Sequence, residues 1–275
     1  MKLKNQVALV TGGTRGLGRG IALAYAKEGA KVAICDIRDN DFPEILEAIK
    51  SQGSEGLAVK ADVSNSADVK RMFEEVVNKF GTLDILVNNA GVFRSHDAGV
   101  RDRMNHLDLI TKPGPKYSLG ITKNLTDEEW DKMIKVNLNG VFYCTREALK
   151  IMEDKKYGRI INIASIAGIS GMSSHSPNYS AAKGGVVAFT KAVAHEVAGA
   201  GICVNCMAPG YIDTDEFMRG INQMDPERKA RFMQIIAKGR VGKIEEYAAL
   251  AVFLASKEAD YMVGQIISPN GGLYI

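Results

Sequence analysis

Gln6-Val7-Ala8-Leu9-Val10-Thr11-Gly12-Gly13-Thr14-Arg15-Gly16-Leu17-Gly18 passes from a short apolar run, through a glycine cluster, into helical periodicity. The run up to Thr11 reads as a strand. Leu17 to Lys27 reads as a helix, with Ile21, Ala24 and Tyr25 on one face. Gly12, Gly16 and Gly18 permit a tight turn and let backbone approach a pyrophosphate at the positive end of that helix. A plain βα turn would explain the same residues. The cluster gains meaning from its place between a first strand and a first helix.

The alternation continues outward. Strands are predicted at Lys31 to Asp36, Gly56 to Ala61, Leu83 to Asn88, Arg159 to Ala164, Ile202 to Met207 and near Gln265 to Ser268. Helices are predicted at Phe42 to Ser51, Ala67 to Phe80, Asp127 to Met152 and Tyr179 to Ala198. The strands are apolar on both faces, as expected where helices cover both sides of a parallel sheet. The fold class is therefore α/β: a doubly wound, Rossmann-type parallel sheet with helices on both faces. No linker of altered composition divides the chain, so residues 1–275 are expected to form one domain. One segment breaks the rhythm. From Arg94 to Asn124 little periodicity shows, and Gly99, Pro113, Gly114, Pro115 and Gly120 punctuate it. It reads as a loop insertion, ended by the capping box Thr126-Asp-Glu-Glu129. Its six basic residues (Arg94, Arg101, Arg103, Lys112, Lys116, Lys123) against Asp97, Asp102 and Asp108 give it the +3 charge of the whole chain.

Composition excludes several classes. Hydrophobic residues make up 46 % and charged residues 24 %, which rules out disordered and fibrous chains. The 35 basic and 32 acidic residues are too balanced for a nucleic-acid or membrane surface. No secretory or membrane-spanning run is present, so a cytoplasmic protein is expected. Cys203 and Cys206 have redox or metal spacing. On a strand, however, residues three apart face opposite sides. Buried structural thiols and no metal site are expected.

Asp36 ends the second predicted strand, where an acid can accept hydrogen bonds from the adenosine ribose. A carboxylate there repels a 2′-phosphate and favours NAD over NADP. Arg15 and Arg38 sit on either side and point the other way. Tyr179-Ser-Ala-Ala-Lys183 lies early in a helical stretch. Residues four apart share a face, so a lysine ammonium would stabilise the phenolate and lower the tyrosine pKa. Tyr179 would then serve as an acid toward a ketone or a base toward an alcohol. Ser165 follows an apolar strand, at the carboxyl end where open α/β sheets place ligands. Taken alone, Tyr-x-x-x-Lys occurs by chance on many helices.

Together, Thr11-Gly-x-x-x-Gly-x-Gly18, Asn88-Asn-Ala-Gly91, Asn137, Ser165, Tyr179-x-x-x-Lys183 and Pro209-Gly210 resemble, in order and spacing, the short-chain dehydrogenase/reductase family in its compact single-domain branch. The resemblance runs from Val7 to Gly272. It implies a nicotinamide-dependent oxidoreductase with a catalytic tetrad. Tyr179 would be the acid/base, and Lys183 would hold the nicotinamide ribose and tune it. Ser165 would orient the reacting oxygen, and Asn137 would bind a water linked to Lys183. It further implies cofactor contacts from Gly12, Thr14, Arg15, Gly16, Leu17 and Gly18. Asp62 and Val63 would flank the adenine. Asn89, Ala90 and Gly91 would line the cleft, with Pro209, Gly210, Ile212 and Thr214 near the carboxamide. A homotetramer is also implied. Each role has a structural rival: Asn137 could bend a helix (with Asn139 as its competitor), Asn89 could brace strands, and Asp62 could cap a turn. Asn270 stands where the family commonly has aspartate, and the segment 94–124 replaces a short connection.

The small-molecule substrate is open. Met172, His175 and Pro177, with Tyr211, Phe217, Met218, Met224 and Met233, suggest an apolar, adaptable pocket. The same residues could pack on the domain or a neighbouring subunit. A steroid-like or alicyclic ketone or secondary alcohol comes first. A 3-oxoacyl thioester, suggested by the basic insertion, comes second, and a sugar or polyol third. His96, His106 and His195 are expected at the surface. From other classes, a non-catalytic NAD-binding regulator has no need of a tuned phenol. An epimerase or dehydratase would need more chain than the 92 residues after Lys183.

Overall fold

The structure is a computed structural model that describes residues 1–93, 96–171 and 173–275. Arg94 and Met172 therefore lie outside the described residues, as do the side chains of His96 and Asp97.

Seven parallel strands carry the chain: β1 (Val7–Thr11), β2 (Lys31–Asp36), β3 (Gly56–Lys60), β4 (Ile85–Asn88), β5 (Gly158–Ile163), β6 (Ile202–Met207) and β7 (Ile266–Ile267). Their order is β3-β2-β1-β4-β5-β6-β7, with Thr11 opposite Cys35 and Val10 opposite Val87. The strand order reverses between β1 and β4, which opens a crevice at the carboxyl ends. The helices are α1 (Gly16–Lys27), α2 (Phe42–Ser51), α3 (Ser66–Phe80), α4 (His96–Thr111), α5 (Ile121–Asn124), α6 (Asp127–Ile134), α7 (Gly140–Lys155), α8 (Pro177–Val197), α9 (Asp215–Asn222), α10 (Pro226–Gln234) and α11 (Ile244–Ala255).

Strand alternation divides the core. Ala8 and Val10 of β1 face Ile21 and Tyr25 of α1 and Ala251 of α11. Val7 and Leu9 face the other way, toward Met72 and Val76 of α3, Ala148 of α7 and Val193 of α8. Both faces are covered, as the doubly apolar strands predicted. All four cysteines are buried free thiols. Among the described residues no helix is long and apolar enough to cross a membrane.

Helices α9, α10 and α11 are not among those predicted, and the structure departs from the sequence reading in two further places. The segment predicted as a loop is helical over α4. Leu107 of that helix is buried with Ile221, Phe232 and Ile236, forming a roof above the carboxyl ends of the strands. The continuous helix predicted over Asp127 to Met152 is instead interrupted. A π-turn, Lys135–Asn139, separates α6 from α7.

Candidate active site

The glycine turn is shaped by contacts that exclude side chains. Gly12 and Gly16 have φ of 63° and 53°, in the left-handed region. A Cβ on Gly18 would lie 2.1 Å from the Gly12 carbonyl oxygen and 2.5 Å from Asn89 Nδ2. Asn89 Nδ2 donates to the carbonyls of Thr11 (2.9 Å) and Gly12 (3.1 Å), fixing the end of β1. Thr11 Oγ1 accepts from the Asn89 and Ala90 N–H groups. The N-cap residue of α1, Arg15, offers no side-chain cap, and no acid stands in the first turn. Its first N–H groups are thus left to an anion, and the pocket's chemistry fits a pyrophosphate. Gly18→Ala is expected to weaken NADH binding at least ~10-fold or to prevent folding, because overpacking of backbone against backbone has no soft neighbour to yield. Fluorescence titration checks this, and binding within twofold of wild type would contradict it.

Asp36 sits beside this turn. Its Oδ2 accepts from Thr14 Oγ1 at 2.6 Å and its Oδ1 from the Arg38 N–H at 3.3 Å. The carboxylate is held while keeping acceptor capacity for hydroxyls. Arg15 and Arg38 are both exposed.

On the other side of the switch point, α8 opens with Pro177 and places Tyr179 in its first turn. One turn later Lys183, 4 % exposed, sends Nζ to the Ile163 carbonyl at the end of β5 (2.8 Å). Lys183 Nζ lies 5.7 Å from the Tyr179 ring centre. Ser165, two residues past Ile163, accepts from the Ala167 N–H. Gly168 lets this turn close onto α8, since its Cβ would meet the Lys183 carbonyl carbon at 2.5 Å. Phe93 packs on Tyr179 with ring centres 5.0 Å apart.

The electrostatics differ from the sequence argument. Burial pushes the Tyr179 phenol up to about 12. A hydrogen bond with Ser165 and the positive charge of Arg103 pull the other way. Burial lowers Lys183 to about 8. Desolvation therefore outweighs neighbouring charge at both groups.

Asn137 is fully buried in the π-turn. Its Nδ2 donates to the carbonyls of Val92 (3.0 Å) and Met133 (3.2 Å), and its Oδ1 accepts from the Val92 N–H. A Cβ on Gly91 would lie 2.7 Å from that Oδ1 and 3.8 Å from Lys183 Nζ. The amide therefore shapes the helix and stands next to Lys183 as well. Asn139, its competitor, is only half-buried.

The remaining predicted residues have structural contacts of their own. Asp62 accepts from the Ser64 N–H and hydroxyl at 2.8 Å, so it does brace a turn, just beyond β3. Val63 packs against Gly140. The Pro209 carbonyl accepts from the Ile166 N–H, and Ile212 pairs with Gly242. Gly210 is pressed against Asn270, where a Cβ would lie 2.9 Å from Cα. Thr214 caps α9 and touches Gly16. Leu17 and Ala90 are packed into the two faces of the core. Asn270 accepts from the Gly272 and Tyr274 N–H groups, holding the tail turn.

Several residues escaped the sequence. His106, expected at the surface, is buried against His175, with Nδ1 atoms 3.3 Å apart. The cause is the unforeseen helix α4, which turns His106 inward. His195 is exposed as expected. Asp108 anchors α4 to α10 through Arg228 (2.6 Å) and Arg231 (3.0 Å). These guanidinium groups hold its carboxyl down at about 2. Phe217, Met218, Met224 and Met233 pack against the same roof.

The short chain dehydrogenase family profile matches residues 6–225. The 3-oxoacyl-[acyl-carrier-protein] reductase of Staphylococcus epidermidis is 37 % identical over 98 % of this chain and 100 % of its own length. The enzyme of the same name from Escherichia coli (strain K12) is 34 % identical over the full length of both. The crystal structure of levodione reductase superposes with a TM-score of 0.83 at 33 % identity, covering 98 % of each chain.

Proposed function

Because this chain belongs to the short-chain dehydrogenase family and is an oxidoreductase acting on CH–OH or keto groups, we propose that it reduces a ketone or oxidises a secondary alcohol through Tyr179. The convergence of Tyr179, Lys183 and Ser165 at the carboxyl end of β5 carries this reading. A bound nicotinamide dinucleotide supplies or accepts the hydride. Ser165 and Tyr179 hold the substrate oxygen between two hydroxyls. Tyr179 gives its phenolic proton to that oxygen in reduction and takes it back in oxidation. Lys183 holds the nicotinamide ribose, and Asn137 maintains the pocket around the Lys183 ammonium. The turn Gly12 to Gly18 takes the pyrophosphate, Asp62 and Val63 the adenine side, and Asn89 to Gly91 with Pro209, Gly210, Ile212 and Thr214 the nicotinamide side.

NAD is the proposed cofactor, supported by the Asp36 carboxylate held beside the glycine turn. Arg15 and Arg38, exposed on either side of it, support NADP as the second reading. Asp36→Ala is expected to shift the kcat/KM ratio of NADPH over NADH upward by roughly tenfold or more, since a charge repelling the 2′-phosphate is removed. A ratio that does not move would withdraw Asp36 from the ribose.

The apolar roof supports a ketone with a hydrophobic skeleton as substrate. The names of the two bacterial relatives support a 3-oxoacyl thioester instead. A cytoplasmic homotetramer completes the proposal. NADH absorbance, followed across cyclic ketones, steroid ketones, acetoacetyl thioesters and sugars, tests it. Turnover of one class is the expected result, and cofactor binding without turnover of any class would count against it. Light scattering reads the assembly.

A further inference from the structure

Helix α4 delivers a cation to the proposed site. Arg103 lies on the face of α4 that also carries His106, Leu107 and Ile110, at helical spacings of three, four and seven residues. Together with Tyr211 and Phe232 these residues line a narrow crevice. The Arg103 guanidinium carbon lies 5.4 Å over the Phe217 ring. Its Nε is buried and has no hydrogen-bond partner among the described residues. Among the described residues no carboxylate pairs with it: Asp102 pairs with Arg101, and Asp108 with Arg228, Arg231 and Lys112. Its charge is felt by Tyr179, His175 and Tyr211. Arg103 is half-buried, and a guanidinium beside aromatic groups with no counter-ion among the described residues is open to an anionic ligand.

We propose that Arg103 binds a carboxylate on the substrate, so that the ketone or alcohol handled by this enzyme is an oxo or hydroxy acid with an apolar skeleton. The proposal rests on the ketone/alcohol reading of the Tyr179 site and narrows it. The planar fork of arginine matches a carboxylate in two parallel hydrogen bonds. His106 lines the same crevice, and His175 lies against it. Burial lowers both, His175 to about 3, so the pair is neutral near pH 7. A single guanidinium beside two neutral imidazoles suits a monoanion better than a phosphate dianion.

The test compares acids with their neutral esters on the whole enzyme. The probes are 3-oxocyclohexanecarboxylate and acetoacetate, each beside its methyl ester, with NADH and NADPH. The wild type is expected to favour the acid of at least one pair by roughly 10- to 100-fold in kcat/KM, the range for a charge-assisted hydrogen bond. Arg103→Gln should bring that ratio close to one, with the loss carried by the acid's KM. Arg103→Lys should keep part of the preference, because the charge remains and the fork does not. Circular dichroism shows whether each variant is folded. A ratio unchanged in Arg103→Gln overturns the proposal. So does a wild type that favours the esters, or one that neither turns over nor, by calorimetry of the NADH-loaded enzyme, binds either acid. Tyr179→Phe separates the two ideas. If it leaves turnover intact, the phenol assignment fails while the acid-to-ester ratio still reports on Arg103.

Discussion

Tyr179→Phe is expected to lower kcat by at least ~10³-fold while leaving NADH affinity within a few-fold of wild type, as loss of a positioned general acid does. The substitution removes one oxygen and little else. The ring keeps its packing on Phe93 at 5.0 Å. The lost group is the hydroxyl bonded to Ser165. Its raised pKa, about 12, fixes the direction of the pH effect. Below that value the phenol carries its proton, so ketone reduction finds the acid form ready across the neutral range. Alcohol oxidation needs the phenolate, so its rate should climb with pH. Steady-state rates in both directions, at saturating cofactor, check this. A loss of less than tenfold would remove Tyr179 from the acid/base role.

Where the sequence spoke clearly, local chemistry and tertiary packing asked for the same residue. Gly18 has to be glycine because the Gly12 carbonyl and the Asn89 amide occupy the place of a side chain. That need shows in the sequence as a glycine between a strand and a helix. Tyr179 and Lys183 were legible because one helical turn sets both their spacing and their shared face. The sequence was silent where the inner face of an element is polar. Helix α4 buries His106 beside Leu107 and sets Arg103 on the same face, so its apolar period is broken at the positions that line the crevice. The π-turn at Asn137 was likewise hidden. It depends on an amide reaching Val92, a contact 45 residues away in sequence. The Tyr179 shift runs opposite to that expected from spacing, for a related reason. Spacing reveals a neighbouring charge but not the depth of burial, and here burial is the larger effect.

Lys183→Met is expected to abolish turnover and yet to raise the stability of the apoprotein at pH 7. The lysine is 4 % exposed, and among the described residues its Nζ has one hydrogen-bond partner, the Ile163 carbonyl. Burial lowers it from 10.5 to about 8 in the folded chain. Below pH 8 both folded and unfolded chains hold the proton, and the folded chain bears the full desolvation cost, on the order of 3 kcal/mol. Between pH 8 and 10.5 the unfolded chain binds more protons, so wild-type stability recovers as pH rises. Above 10.5 the cost is gone. Methionine escapes it but loses a hydrogen bond contributing about 1 kcal/mol. A net gain of about 1–2 kcal/mol would raise Tm by roughly 2–6 °C for a chain of this size. The gain should fade as pH approaches 10.5. Melting curves of both proteins from pH 7 to 10.5 measure it. A methionine variant less stable at pH 7, with a gap that does not depend on pH, would show that the ammonium is not a burden on the fold. A stabilised but inactive variant would mark Lys183 as a residue held against the interest of folding, which a purely structural lysine on a buried helix face would have no reason to be.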